Sequence, residues 1–195
     1  MKKYIYLLML TFFSSSVLAE GFYAGIGYLK SDVDTHKYPS LTYTAYDDED
    51  DGFTIFGGYD FNERFGIEAG YNDLGDTTGT VTAGGGLTAD KETTVITLAG
   101  VLKSDPIAEN IVLFVKAGLA RINNDETLST GVNVNKNTNN AFYGVGANFE
   151  LPNGLIVRGL YEEYGEDDGN SDINVDGSPD QIDPSTMSLS LIKRC

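Results

Sequence analysis

The stretch GFTIFGGYDFNERFGIEAGYNDLG, residues 52–75, decides how the rest of the chain is interpreted. It holds two runs with a period of two, joined by the polar triplet at 62–64. One face carries Phe53, Ile55, Gly57, Tyr59, Phe61, Phe65, Ile67, Ala69 and Tyr71, and the other carries Thr54, Phe56, Gly58, Asp60, Gly66, Glu68, Gly70 and Asn72. This alternation predicts an antiparallel hairpin. Such a hairpin fits a soluble sheet, and it equally fits a barrel wall with lipid outside and packed polar side chains inside.

The N-terminal residues 1–19 predict export. Two lysines precede an apolar run over 4–13, and the small residues Val17 and Ala19 precede a cut that we place before Glu20. A basic start, a short apolar core and small residues before the cut are the three parts of a secretory signal peptide. The apolar run is shorter than the roughly 20 residues that a membrane-spanning helix needs.

The composition favours an exported all-β protein that does not bind nucleic acid. Removing the first 19 residues, which contain two lysines, leaves 11 basic and 29 acidic side chains, and 11 − 29 gives a formal charge of −18. Nucleic-acid binding needs a basic footprint. The single cysteine, Cys195, has no internal partner for a disulfide. The 23 glycines and the 11% of aromatic residues suit strands, and no helical period of useful length occurs.

Eight runs of alternating character follow one another along the chain. They lie at 21–31, 53–61, 65–74, 93–103, 111–122, 140–150, 154–165 and 186–195. The connections measure 21, 3, 18, 7, 17, 3 and 20 residues, so long loops collect at one end and tight turns at the other. This is the layout of an outer-membrane barrel. We therefore predict an all-β fold, an eight-stranded antiparallel up-and-down transmembrane β-barrel over 20–195. The competing lipocalin-like barrel usually has mostly short hairpins and a Trp in its first strand, and this chain has no Trp.

The faces of most runs follow from alternation. The run at 93–103 is apolar on both faces, so the sequence does not assign its inward side. Aromatic residues near strand ends predict an interfacial girdle. These residues are Phe22, Tyr28, Phe65, Tyr71, Phe149 and Tyr161.

Several runs resemble strands of the OmpA-type transmembrane barrels. GIEAGYNDLG at 66–75, VRGLY at 157–161 and MSLSL at 187–191 resemble the third, seventh and eighth strands, and GFYAGIGY at 21–28 is similar to the opening strand. The resemblance implies the outer membrane of a Gram-negative bacterium, a monomer, and periplasmic termini. Cys195 departs from the terminal Phe of the family, which is part of what the assembly machinery recognises.

The resemblance also implies charged residues inside the barrel, and three positions match. Glu68, Lys116 and Arg158 all fall on inward faces by alternation. An eight-stranded barrel is just wide enough to be filled by side chains, so charges confined there must pair. Asn148 stands where the family often has a further acid. The network serves only to stabilise the lumen, or it forms a gated ion pair that gives weak conductance.

We expect no cofactor and no metal site, although one loop partly matches the calcium motif D-x-[DN]-x-[DN]-G. Its ligands would be Asp172, Asn174, Asp176 and Asp183. Asp183 stands where the motif has a bidentate Glu, and helices that would flank the loop are not predicted. The acidic run at 47–51 is interpreted as solvated surface.

The predicted function is structural or surface-interacting, adhesin-like and non-catalytic. The only histidine, His36, lies in a loop without a nearby strand nucleophile, so the alternative of a lipid-modifying enzyme has little support. A small-solute pore is the other alternative. The loops at 77–87 and 127–135 either extend the barrel as hairpins that offer strand edges to a partner, or they are flexible loops rich in Gly and Asn. Expected partners are outer-membrane lipid, lipopolysaccharide near Lys30 and Arg121, and host or cell-surface ligands at the long loops.

Overall fold

The computed structural model describes residues 21–35, 43–46, 49–81, 87–128, 133–165 and 182–195. The strands are β1 Phe22–Thr35, β2 Tyr43–Tyr46, β3 Glu49–Asp60, β4 Phe65–Val81, β5 Leu87–Lys103, β6 Ile111–Leu128, β7 Asn133–Glu150, β8 Leu155–Tyr164 and β9 Ile182–Arg194. The described residues contain no helix long and apolar enough to cross a membrane. The predicted signal peptide lies outside them.

Eight of the strands close into a ring. Its order is β1, β3, β4, β5, β6, β7, β8 and β9, with β9 paired back to β1, and every pairing is antiparallel. The short strand β2 lies outside the ring and pairs with residues 79–81 of β4. Closure leaves no free edge along the wall, as hydrocarbon requires. The predicted eight-stranded up-and-down barrel is confirmed.

The two ends of the barrel differ in how well the sequence predicted them. At the turn end, which carries the connections 61–64, 104–110 and 151–154, predicted and observed strand ends agree within two residues. At the loop end the strands run further. Residues 76–81 of β4 pair with 87–92 of β5, and 123–127 of β6 pair with 133–137 of β7.

Two predicted long loops are therefore mostly hairpin, which confirms that they extend the barrel. Most residues of these strand extensions are polar, so the apolar alternation that marks the membrane part is weak there.

The outward face is an apolar belt bounded by polar residues. On β6, for example, the outward-facing residue Leu119 is apolar, and the next outward-facing residue, Arg121, is charged. The predicted girdle residues are all exposed; Tyr28, Tyr71 and Tyr161 are each followed, two positions on, by a charged residue of the same face. A continuous apolar belt around the molecule would be exceptional on a water-soluble monomer. The belt is the surface that lipid covers.

The inward face of β5, which the sequence left open, consists of buried residues. They are Thr93, Val95, Thr97, Ala99, Val101 and Lys103.

Side chains fill the lumen in levels. Towards the loop end lies an apolar cluster of Leu74, Val95, Ala99, Ala120, Ile122, Phe142 and Tyr164. Towards the turn end lies a second cluster of Tyr23, Phe56, Ile156 and Ile192. Charged side chains occupy the space between these clusters, with Val101, Phe114 and Leu160 beside them.

Inward glycines make room for the lumen aromatics. A Cβ on Gly58 would lie 2.3 Å from the ring of Tyr23, and a Cβ on Gly146 would lie 2.5 Å from the ring of Phe114. Real Cβ atoms do not approach ring atoms this closely, so even alanine would displace the aromatic ring. The glycines thereby allow an eight-stranded ring to hold large side chains.

Candidate functional site in the barrel interior

Glu68 is the centre of the group of charged side chains in the lumen. Its Oε1 accepts a hydrogen bond from Lys116 Nζ at 3.0 Å, and its Oε2 accepts hydrogen bonds from Arg158 Nη1 at 2.5 Å and from the Tyr23 hydroxyl at 2.9 Å. Glu68 is 2% exposed. The structure thus brings together the three charged residues that the sequence placed on inward faces.

These contacts cross the lumen. Glu68 lies on β4, Lys116 on β6 and Arg158 on β8, and no two of these strands are neighbours in the ring. Alternation turns each side chain inward, and the narrow ring brings their charged ends within hydrogen-bonding distance. The three side chains therefore tie opposite walls of the barrel to each other.

A second acid, Glu162, completes the charge balance. Its Oε1 lies 2.9 Å from Lys116 Nζ, and its side chain is 4% exposed. Two acids and two bases give the level a formal charge of zero. We call Glu68, Lys116, Arg158 and Glu162 the ionic layer. Alternation places Glu162 on the inward face, but the predicted network did not include it; its spacing of four residues from Arg158 was the available signal.

Polar and aromatic groups enclose Arg158. Its Nε donates to Asn148 Oδ1 at 2.9 Å, so an amide accepts this hydrogen bond. The guanidinium carbon lies 4.5 Å, 4.9 Å and 5.7 Å from the ring centroids of Phe114, Phe56 and Tyr23. Cation–π attraction strengthens when the cation is desolvated. The guanidinium is thereby held by hydrogen bonds at its edge and by rings around it.

The ionic layer is suited to stabilising the barrel walls. Removing charges from water costs several kcal/mol per ion, and only complete pairing offsets that cost. Each member therefore needs its partners in place. The arrangement can fix the walls and obstruct the lumen.

Further ion pairs lie at the turn end. Lys103 Nζ contacts the carboxylate of Asp60 at the mouth of the lumen, where both side chains are largely buried. Arg64 Nη2 donates to both carboxylate oxygens of Asp105 at 2.8 and 2.9 Å on the exposed rim. The sequence did not single out either pair, because the two partners of each pair lie in different hairpins of the chain.

The remaining predicted site residues are placed only in part. Asp172, Asn174 and Asp176 of the possible calcium loop, and His36, lie outside the described residues. Asp183 is in β9, where its backbone pairs with Asp34 of β1. In the described ranges, no group of three or more His, Cys, Asp or Glu residues could hold a metal ion. Lys30 and Arg121 are exposed on the outward face near the loop end.

Comparison with known structures identifies the fold. The chain is similar to the attachment invasion locus protein Ail of Yersinia pestis, with 18% identity over 89% of this chain and 99% of that chain, at a TM-score of 0.54. It is similar to Neisserial surface protein A at 12% identity, over 90% and 97%, with a TM-score of 0.60. It is also similar to OprG of Pseudomonas aeruginosa at 13% identity, over 91% and 97%, with a TM-score of 0.57.

No curated protein matches the sequence. The family described as the outer membrane protein beta-barrel domain matches residues 5–191. The match covers nearly the whole sequence and agrees with the closed ring and its apolar belt. The protein therefore belongs to the outer membrane protein beta-barrel family.

Proposed function

We propose that this outer-membrane barrel acts as a sealed structural element with a surface-contact role, and not as a pore or an enzyme. The observation that carries the proposal is the ionic layer, enclosed between two apolar clusters of the lumen. A hydrated solute would have to displace apolar side chains at both ends and break paired charges in the middle. Each of these steps is costly, so the filled lumen favours a role outside the barrel over transport through it.

The same packing disfavours the enzyme alternative. A lipid-modifying barrel needs a reactive group at the rim, where the lipid can reach it. Glu68 and Glu162 are buried and ion-paired instead. We infer that the carboxylates of the membrane-spanning part serve the stability of the wall.

The placement in the membrane follows from the lengths of the connections. Short turns of outer-membrane barrels face the periplasm and long loops face outward. We therefore place the turn end and both mature termini in the periplasm, after cleavage of residues 1–19 as a signal peptide. Lys30 and Arg121 then lie at the outer rim, where lipopolysaccharide phosphates are found.

The surface contact is assigned to the polar hairpins at the loop end. We name the protruding sheet as β2 with residues 76–81, 87–92, 123–128 and 133–140. Its outward face carries hydrogen-bonded amides and carboxylates. Asn135 Nδ2 donates to Asp125, and Asn137 Nδ2 donates to Asn135 Oδ1 at 3.0 Å.

The edge of β7 is a second feature of this sheet. Residues 133–140 pair with β6 on one side, and β8 joins β7 only from Phe142 onward. In the described part of the chain, no strand pairs with the other side of 133–137. Such an edge accepts an added strand through main-chain hydrogen bonds.

Charge indicates which partners suit this surface. The Ail structure has been determined with the heparin analogue sucrose octasulfate, which is a polyanion. The present chain is strongly acidic, and its outward loop-end residues include Asp51, Asp73, Glu92 and Asp125. We propose a partner with a basic surface and expect polyanions to be repelled.

The sealed lumen is tested by planar-bilayer recording of the purified full chain. We expect no channel events for the wild type. A matched variant, Lys116→Met, removes one cation from the ionic layer without opening the apolar clusters. Steady single-channel steps in the wild-type protein would overturn the sealed-barrel proposal.

The surface role is tested by adherence to cultured epithelial cells. Bacteria that express the full chain are compared with bacteria whose two polar hairpins are cut back to short turns. We expect adherence to fall to the vector level when the hairpins are shortened, at equal amounts of heat-modifiable barrel in the outer membrane. Adherence that is the same in both strains would contradict a contact role for the protruding sheet.

A further inference from the structure

We propose that the lipid-facing wall holds one bound glycerophospholipid of the periplasmic leaflet. One acyl chain lies in a groove over Gly100, and the phosphate is bound by Arg64. The inference rests on the membrane placement described above. It adds a specific ligand site on the outside of the barrel.

The groove arises because two small residues meet in one row of the wall. The register places Ile67, Gly100, Ala117 and Tyr143 side by side across β4 to β7, on the outward face. Gly100 and Ala117 leave a depression between larger neighbours. A Cβ on Gly100 would meet no heavy atom within 4 Å, so the space above it is open.

The groove has the size and surface of a ligand site. Its volume is about 600 Å³, and its lining includes Phe61, Phe65, Leu102, Val115, Tyr143 and Val145. Ligand pockets measure roughly 300–1,000 Å³. The lining is almost entirely apolar and faces hydrocarbon, so its occupant is a hydrocarbon chain. A long unbranched chain suits an elongated groove that crosses four strands.

We place the headgroup at Arg64, because this residue directly precedes the groove residue Phe65 in the chain. Phe61 and Phe65 line the end of the groove nearest the turn, and Arg64 lies between them in the sequence, with a side chain that is 61% exposed. Asp105 engages only Nη2, and Arg64 Nε and Nη1 have no partner among the described residues. A guanidinium binds phosphate through parallel hydrogen bonds, and an exposed ion pair such as Arg64–Asp105 is weak enough to share its cation.

The matched control is another outward glycine. Gly159 is exposed on β8, and a Cβ there also meets no heavy atom within 4 Å. Gly100→Leu fills the groove, whereas Gly159→Leu adds the same side chain to a wall outside it. Both variants are checked for heat-modifiable migration, so that a folding defect is recognised before binding is compared.

The test measures lipid retained by the detergent-solubilised full chain, by native mass spectrometry, with phosphatidylglycerol and with diacylglycerol as probes. We expect one retained phosphatidylglycerol in the wild type and in Gly159→Leu, and loss of it in Gly100→Leu. Arg64→Ala should lower retention roughly tenfold, the effect of losing a charge-assisted hydrogen bond.

Two results would overturn the proposal. Equal retention by Gly100→Leu and Gly159→Leu would remove the groove as the site, and equal retention of diacylglycerol and phosphatidylglycerol would remove the headgroup contact. A dimer that Gly100→Leu dissociates would assign the groove to a second copy of the chain instead. The bilayer recording and the adherence assay do not test lipid binding. The proposed function and the proposed lipid site can therefore fail separately.

Discussion

The ionic layer and the turn-end rim both contain ion pairs, but the pairs differ in what surrounds them. Glu68 is 2% exposed and accepts hydrogen bonds from side chains of three other strands. The side chains of Arg64 and Asp105 are 61% and 75% exposed, and among the described residues they pair with each other. We therefore expect an ion pair to matter far more for stability in the ionic layer than at the rim.

The physical reason is how well each charge is solvated once its partner is lost. A rim charge that loses its partner returns to water, and exposed pairs contribute about 0–1 kcal/mol. A charge of the ionic layer that loses its partner stays in a poorly solvated lumen, and the penalty is then several kcal/mol. This difference can be tested from either side.

The largest effect is expected for Glu68→Ala. The change leaves two buried cations without their shared acid, and we expect the free energy of unfolding to fall by about 3–5 kcal/mol. Urea unfolding in lipid vesicles, followed by the mobility of folded barrel on a gel, measures it. Asp105→Ala is the control at the rim. A loss below about 1 kcal/mol for Glu68→Ala would show that the lumen solvates its charges.

The second prediction concerns Lys116→Met. This change deprives Glu162 of its ion pair and Glu68 of one of two cations, and we expect a loss of about 3 kcal/mol. Adding Glu162→Gln removes the orphaned charge. We expect the double variant to recover at least about 1 kcal/mol in the same urea assay, because the two residues are coupled. Additive losses would contradict a shared network.

A third, smaller effect compares the two faces of the wall. Gly58→Ala places a Cβ against the ring of Tyr23 in the lumen and should cost about 1–3 kcal/mol by overpacking. Gly159→Ala places the same atom in open space on the outward face. We expect its unfolding free energy to change by less than about 0.5 kcal/mol. If the outward variant were the more destabilised one, the assignment of faces would be wrong.

The smallest effect is expected for Arg64→Ala. Both partners of the rim pair are mostly solvated, so the free energy of unfolding should change by less than about 1 kcal/mol. Raising the salt concentration should reduce even this difference, because exposed pairs are screened. A loss as large as that of Glu68→Ala would make the rim pair a structural contact.

Much of the fold was predictable because a barrel strand shows its two faces in its sequence. Alternation alone is enough to direct Glu68 inward and Tyr71 outward. It failed where the pattern carries no contrast. Residues 93–103 of β5 are apolar on both faces, so their inward side is not apparent from the sequence. The hairpins of the protruding sheet are mostly polar, so the ends of their strands are not apparent either.

For the candidate site, the sequence predicted only which side chains point into the lumen and not which of them contact each other. The sequence indicated that Glu68, Lys116 and Arg158 point into the lumen, since each occupies an inward position of its strand. It did not indicate that Glu162 shares Lys116, or that Asn148 holds Arg158. Those contacts depend on the order and stagger of strands that are not neighbours.

The sequence by itself determined the strands of the membrane part, the inward and outward faces of all of them except 93–103, and the asymmetry between turns and loops, because these depend on local alternation and spacing. The tertiary structure alone decided which charges meet across the lumen, where two small residues form a groove, and how far the hairpins extend. Each of these depends on ring closure and register, which bring together residues far apart in the chain. Glu68 illustrates both: its inward direction is local, and its partners are set by the ring.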